Sequence, residues 1–291
     1  MVDFHTHTVC SDGKATPEEL IEKAIAQHIL YLAITDHNYV HKNLDELREK
    51  YKGRITLING VELSTVYDSM DGEKTEVHVV GLGVDSEKMD KFMAENSSDR
   101  KSYIEAIRKK MKENCNIDLP PYEEFQKMYP RSGRIGRMCV GDYLLGKGVI
   151  SSIDELFHIY LGNKGERRAY VNALDFSNYA QFEDGVRAII DAGGIPVLAH
   201  LFAYPFTDQE RNRMVRRFKE AAGEHPAGIE VYYGKYSREK RKILREIADR
   251  WGLYYSSASD YHAKTPEDHL MNPQHLDRCP MDRHVLSLFL K

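Results

Sequence analysis

Short apolar runs alternate with helical patterns along most of this chain, and that alternation limits its fold more than any other feature. Residues 2–4, 31–35, 55–58 and 77–82 read as strands, as do 195–199, 228–232 and 253–257. Helical patterns over 44–51, 182–192, 207–222 and 237–251 separate several of them. Another helix opens at Thr16-Pro17-Glu18-Glu19, where Thr16 is an N-cap, Pro17 takes the first helical position and Glu19 closes a capping box. Strands separated by helices imply right-handed βαβ units and a parallel sheet. About seven strands in 291 residues suit an α/β fold of the (β/α) barrel type better than an open doubly wound sheet. Neither G-x-G-x-x-G nor G-x-x-x-x-G-K-[ST] occurs, so nucleotide binding through those loops is not supported.

The β/α pattern lapses over residues 86–170. Residues 91–114 read as a charged helix, Pro120-Pro121 as a break and 135–147 as a second helix. Ser152-Ile153-Asp154-Glu155 caps a third. The expected organisation is a barrel of residues 1–85 and 171–291 with a helical insert, 86–170, acting as a lid or substrate-specificity subdomain.

Chemistry collects at the strand ends. The first strand runs into His5-Thr6-His7, whose imidazoles share a face because extended side chains alternate with period 2. Asp12 follows in a loop, the second strand ends at Asp36-His37, and the third leads to Glu62. The fourth contains His78, the fifth ends at His200, and the last runs into Asp260-Tyr261-His262. Strand C-termini of a β/α barrel converge on one mouth. His5, His7, Asp12, His37, Glu62, His78, His200, Asp260 and His262 are thus nine candidate ligands, too many for one ion. Two or three divalent ions sharing a carboxylate bridge would use them. Alone, a residue such as His78 reads as a hydrogen-bonded core histidine; the grouping changes that reading.

Composition narrows the donors. There are 13 histidines but only 4 cysteines, and Cys10, Cys115, Cys139 and Cys279 form no C-x-x-C pair. The remaining N/O donors suit Mn, Zn, Fe or Ni. Asp36 is expected to orient a ligand. His28, His41, His158, His225, His269, His275 and His284 read as surface histidines.

The segments FHTHTVCSDGKATPEEL, AITDHN, NGVELS, VHVVGLG, VLAH and SASDYHA resemble the PHP (polymerase and histidinol phosphatase) family of metal-dependent phosphoesterases. The resemblance implies a distorted (β/α)7, TIM-like barrel and a bi- or trinuclear centre on those nine residues, with Mn foremost and Zn or Fe as alternatives. The expected activity is phosphate-ester hydrolysis by a metal-bridging hydroxide attacking phosphorus in line. Glu62 would bridge the metals, and Asp260 or His200 would relay the proton.

The helical insert and IGRMCVGDYLLGKGVI resemble the small-molecule branch of that family. That branch includes nucleoside 3′,5′-bisphosphate phosphatases, short-RNA 5′-exonucleases and cyclic phosphate dihydrolases. Arg137 matches one of its phosphate-binding arginines. Arg167, Arg168, Arg134 and Lys235 are further phosphate-binding candidates, since guanidinium groups bind phosphate bidentately. Two departures stand out. Arg137-Met138-Cys139 replaces Arg-x-His, and Leu201-Phe202-Ala203 replaces Pro-Gly-Arg after His200, removing a phosphate-contacting arginine there.

The leading expectation is a phosphoesterase for small phosphorylated metabolites, such as a nucleoside bisphosphate or phosphosugar. Alternatives are a dihydrolase of 5-phosphoribose cyclic phosphate, an exonuclease on short oligonucleotides, and a non-catalytic metal-binding regulatory domain. The intact ligand set argues against the last. The net charge of −4 and the lack of an aromatic-basic strip argue against long nucleic acids. No apolar run approaches the roughly 20 residues of a membrane span. The N-terminal MVDFHTH lacks the basic start and apolar run of a signal peptide, so a cytoplasmic location is expected. No sequence feature specifies an oligomeric state.

Overall fold

The computed structural model describes residues 1–130, 135–162, 165–264 and 269–270. The chain forms two compact units, residues 1–96 with 179–291, and residues 97–178. These borders differ from those read in the sequence. Helix Ser86–Glu95 falls in the first unit, where Met89 and Met93 share a core with Val84, Val186 and Ile189. The helix read over 91–114 is also broken. Asp99 caps a new helix, Arg100–Cys115, by accepting the Ser102 N–H at 2.9 Å.

The first unit holds a seven-stranded sheet in chain order. Its strands are β1 (Val2–Asp3), β2 (Tyr31–Ile34), β3 (Thr56–Asp68), β4 (Lys74–Leu82), β5 (Ile195–Leu198), β6 (Gly228–Tyr233) and β7 (Tyr254–Ala258). The sheet curls almost shut. Thr6 bridges Tyr261 in parallel, and the Asp260 N–H donates to the His5 carbonyl at 2.9 Å. The result is a TIM-like α/β barrel with one departure from a wholly parallel sheet: β4 runs antiparallel to both β3 and β5. The reason is local. Only residues 69–73 separate β3 from β4, far fewer than a parallel crossover needs. Ser69 N–H donates to the Glu73 carbonyl at 2.9 Å, closing a hairpin.

Period-2 alternation sends neighbouring strand side chains to opposite faces of the sheet. Val2, Ala33, Ile58, Val80, Leu82, Ile195 and Val197 pack together and fill the barrel interior. Leu32, Ile34 and Leu57 point the other way, onto Leu20, Ile21 and Ala24 of helix Pro17–Ala26. That helix starts where its capping box directs: Glu19 N–H donates to Thr16 Oγ1 at 3.2 Å, and Thr16 N–H to Glu19 Oε2 at 2.7 Å.

The second unit is helical. Helices Arg100–Cys115, Tyr122–Met128 and Arg137–Gly146 are followed by a short helical stretch through Ile153–Glu155 and Leu156–Tyr160. Its own core includes Ile104, Ile107, Met111, Phe125, Val140, Leu144 and Leu156. Among the described residues, no helix is long and apolar enough to cross a membrane.

Candidate metal centre

All nine histidines and carboxylates singled out in the sequence meet at one end of the barrel. β1 continues through buried His5 and His7; β2 leads into His37; β3 carries Glu62 and β4 carries His78. His200 follows β5, and Asp260 and His262 follow β7. Asp12 comes from a turn after His7, in which Ser11 and Gly13 N–H groups both donate to the Thr8 carbonyl, at 3.2 and 2.9 Å. Gly13 is required there, because a Cβ would sit 2.7 Å from the His7 carbonyl oxygen. Gly13→Ala is therefore expected to push Asp12 outward and lower stability by about 1–3 kcal/mol. Thermal unfolding of the chelator-treated chain checks this; an unchanged midpoint would contradict it.

Glu62 is the hub. Its Oε2 lies 3.2 Å from His5 Nε2, 3.2 Å from His7 Nε2 and 3.0 Å from His37 Nδ1. Its Oε1 lies 2.8 Å from His78 Nδ1 and 2.9 Å from His200 Nε2. Asp260 Oδ1 is 3.3 Å from His7 Nε2 and 3.7 Å from His5 Nε2. Asp12 Oδ1 is 3.2 Å from His262 Nε2 and 3.7 Å from His37 Nε2. Donors about 2.0–2.2 Å from one ion lie roughly 3.0–3.5 Å from each other, so this crowding has the spacing of a ligand shell. Three overlapping groups have donor atoms within 4.8 Å of one another: His7, Asp12, His37 and His262; His5, His7 and Asp260; and His37, Glu62 and His78.

Hydrogen bonding alone does not account for the cluster. Glu62 Oε2, Asp12 Oδ1, His37 Nδ1, His78 Nδ1 and His200 Nδ1 are buried without a hydrogen-bond partner, although some lie near other donors at unsuitable angles. Buried polar atoms of this kind are costly unless something else engages them. The donor set fits divalent cations that accept N and O ligands.

The electrostatics agree. Burial would raise Glu62, but the surrounding His37, His5 and His78 hold it well below the usual carboxylate range. Asp12 is held low against burial by His262, His37 and Lys264, and Asp260 by His262, His7 and His5. Burial would lower His7, yet the neighbouring carboxylates of Asp260 and Glu62 push it up to about 9. His78 rises to about 10, the Glu62 charge overcoming burial. For His37 burial prevails over Glu62 and Asp12, and it falls to about 4.

Supporting residues surround the cluster. Asp36 accepts from Thr8 N–H at 2.8 Å, Thr8 Oγ1 at 2.6 Å and the Ser11 hydroxyl, bracing the loop after His7. His41 is not the surface residue expected: it is buried, with Nε2 2.8 Å from Asp36 Oδ2. Asp260 Oδ2 accepts from Tyr233 at 2.7 Å and lies 3.4 Å from Lys235 Nζ. Of the cations read as phosphate contacts, Lys235 is the one described within the barrel unit. Arg137, Arg167 and Arg168 belong to the helical unit. There Arg137 Nη1 donates to the Leu161 carbonyl at 3.2 Å, Arg167 lies over the Tyr170 ring at 4.2 Å and Arg168 pairs with Glu166. Arg134 lies outside the described residues.

The sequence reading missed two charged residues. Lys264 Nζ is 2.7 Å from Asp12 Oδ2. Glu230, in the middle of β6, approaches His5 Nδ1 at 2.6 Å and the His200 N–H at 2.6 Å. Its signal is a single acid in the otherwise uncharged strand GIEVYY, since a buried charge needs partners.

Residues 3–231 match the PHP domain model, and the chain belongs to that family. It is 32% identical over 268 residues to the 3′,5′-nucleoside bisphosphate phosphatase of Chromobacterium violaceum, covering 90% of this chain and 87% of that protein. It is 29% identical over 268 residues to the 5′-3′ exoribonuclease Rnm of Escherichia coli, covering 91% and 86% respectively. Its fold resembles the solved structure of an amidohydrolase from Chromobacterium violaceum with bound sulfate. The TM-score is 0.75 at 29% identity, over 99% of this chain and 96% of that one.

Proposed function

We propose that this chain is a metal-dependent phosphoesterase that hydrolyses small phosphorylated metabolites, foremost a nucleoside bisphosphate. The observation that carries this reading is Glu62, a fully buried carboxylate facing five imidazoles with one oxygen lacking a hydrogen-bond partner. Two or three divalent ions, Mn foremost, fit its surroundings. When bound, such ions supply an acidified water and positive charge for phosphoryl oxygens.

The protein's own groups do the rest. Glu62 turns its two oxygens toward different histidines and so can serve neighbouring cation positions. Tyr233 and Lys235 fix Asp260 Oδ2, which directs Oδ1 toward His7. Asp260 is held ionised by His262, His7 and His5, and Asp260 and His200 are the two candidates for the proton relay. Lys235 and Lys264 add positive charge beside Asp260 and Asp12.

Arg137, Arg167 and Arg168 are inferred to contact a phosphate group of the substrate. Arg137→Ala is expected to lower kcat/KM for a bisphosphorylated substrate by about 10- to 100-fold, the loss of one charge-assisted contact. Unchanged efficiency on every phosphorylated substrate would remove Arg137 from the site.

The likeness to an exoribonuclease supports a second reading, cleavage of short oligonucleotides. A panel of 3′,5′-bisphosphonucleosides, ribose cyclic phosphates, histidinol phosphate and short oligonucleotides, tested with Mn-reconstituted protein, separates the readings. Preferred release of phosphate from the bisphosphonucleoside is expected. Turnover of oligonucleotides alone would favour the exonuclease, and no turnover of any member would overturn the proposal.

A further inference from the structure

Glu230 is 1% exposed and sits between two strands that carry cluster residues. Each of its oxygens faces a different donor. Oε1 lies 2.6 Å from His5 Nδ1, and Oε2 accepts the backbone N–H of His200 at 2.6 Å. His200 has φ +29°, in the left-handed region that a residue with a β-carbon enters at a cost and holds only when its surroundings enforce it. The second oxygen of Glu230 contributes that enforcement. The first has a separate effect. An acceptor at Nδ1 keeps a proton on Nδ1, leaving the lone pair on Nε2. His5 Nε2 is the atom aimed at the cluster, 3.1 Å from His7 Nε2 and 3.2 Å from Glu62 Oε2.

We propose that Glu230 is a positioning residue that sets the His5 tautomer and the His200 backbone together, so that both imidazoles are presented for metal binding. The inference rests on the metal-dependent reading above. It predicts a specific failure for the isosteric variant Glu230→Gln. A carboxylate accepts from both donors, whereas an amide must turn its NH2 toward one of them. If the NH2 faces His200 N–H, two donors confront each other. If it faces His5 Nδ1, the proton moves to Nε2, and an Nε2–H cannot bind a cation. Either way shape is retained and ligand presentation is lost.

The test uses the full chain loaded with zinc. Long-range 1H–15N correlation of the histidine rings in the wild type is expected to show His5 protonated at Nδ1 and metal-shifted at Nε2. A proton on Nε2 would overturn the proposal. In parallel, equilibrium dialysis should show zinc affinity about 10- to 100-fold weaker in Glu230→Gln than in the wild type. Circular dichroism checks that the variant keeps its fold. Equal zinc affinity in the two proteins overturns the positioning role alone, while a wild type that takes up no zinc overturns the metal-dependent reading itself. The ring measurement needs no variant, so it decides the question if Glu230→Gln does not fold.

Discussion

Glu62→Gln is expected to reduce turnover by about 1000-fold or more, a loss of about 4 kcal/mol of transition-state stabilisation. Glu62 links more of the cluster than any neighbour described here: one oxygen faces His5, His7 and His37, and the other faces His78 and His200. Glutamine keeps the volume but removes the charge and replaces one acceptor oxygen with an NH2 group. That group would face ring nitrogens needed for cation binding. Bound metal per chain should therefore fall together with kcat. Metal analysis after dialysis and steady-state kinetics on the best panel substrate check both effects. A variant with full metal content and turnover within tenfold of wild type would show that Glu62 is not the hub.

Metal binding should expel protons, and the metal-free chain should lose stability as pH rises. His7 and His78, at about 9 and about 10, hold protons in the folded metal-free chain at neutral pH; His5 is also raised well above its ordinary value. A bound cation needs these nitrogens unprotonated. Displacing the protons of His7 and His78 alone makes affinity climb about 100-fold per pH unit below about pH 9, and a proton lost from His5 steepens that slope. Calorimetry of metal binding at neutral pH, in buffers of different ionisation enthalpy, reads the protons directly; zero net release would contradict the assignment.

The stability sign follows from the same groups. His7 and His78 are raised above the unfolded value of about 6.5, so their contribution is complete below that pH. It is lost as pH rises through about 9 and 10, a change on the order of a few kcal/mol. His37 acts oppositely. Held at about 4, it makes the folded chain refuse a proton that the unfolded chain accepts, so its contribution weakens as pH falls from about 6.5 toward 4. Asp12, Glu62 and Asp260 lose theirs in acid as well. Denaturant unfolding of the chelator-treated chain across this range checks the direction.

The cluster was legible because its residues combine chemistry with period. His5-x-His7 and Asp260-x-His262 place paired donors along extended backbone, and a barrel brings the strand ends together. The antiparallel β4 was not legible because the third strand reads over 55–58 alone, stopping short of Asn59-Gly60, whereas β3 runs on to Asp68 and the hairpin. In the fold both residues stay in β3. Gly60 permits a close approach there: a Cβ would lie 2.7 Å from Thr35 Cγ2. Glu230 and His41 were missed because each acquires meaning only through a distant partner, His5 for one and Asp36 for the other. The break before Arg100 depends on the Asp99 cap, a signal hidden within a long charged stretch.

The most direct measurement is a metal titration of the chelator-stripped protein, reading bound Mn and phosphate released from a 3′,5′-bisphosphonucleoside in the same samples. Hydrolysis should be absent without metal and rise to saturation at two or three equivalents per chain. Saturation with Mn and no hydrolysis, or full hydrolysis by the stripped protein, would contradict the account.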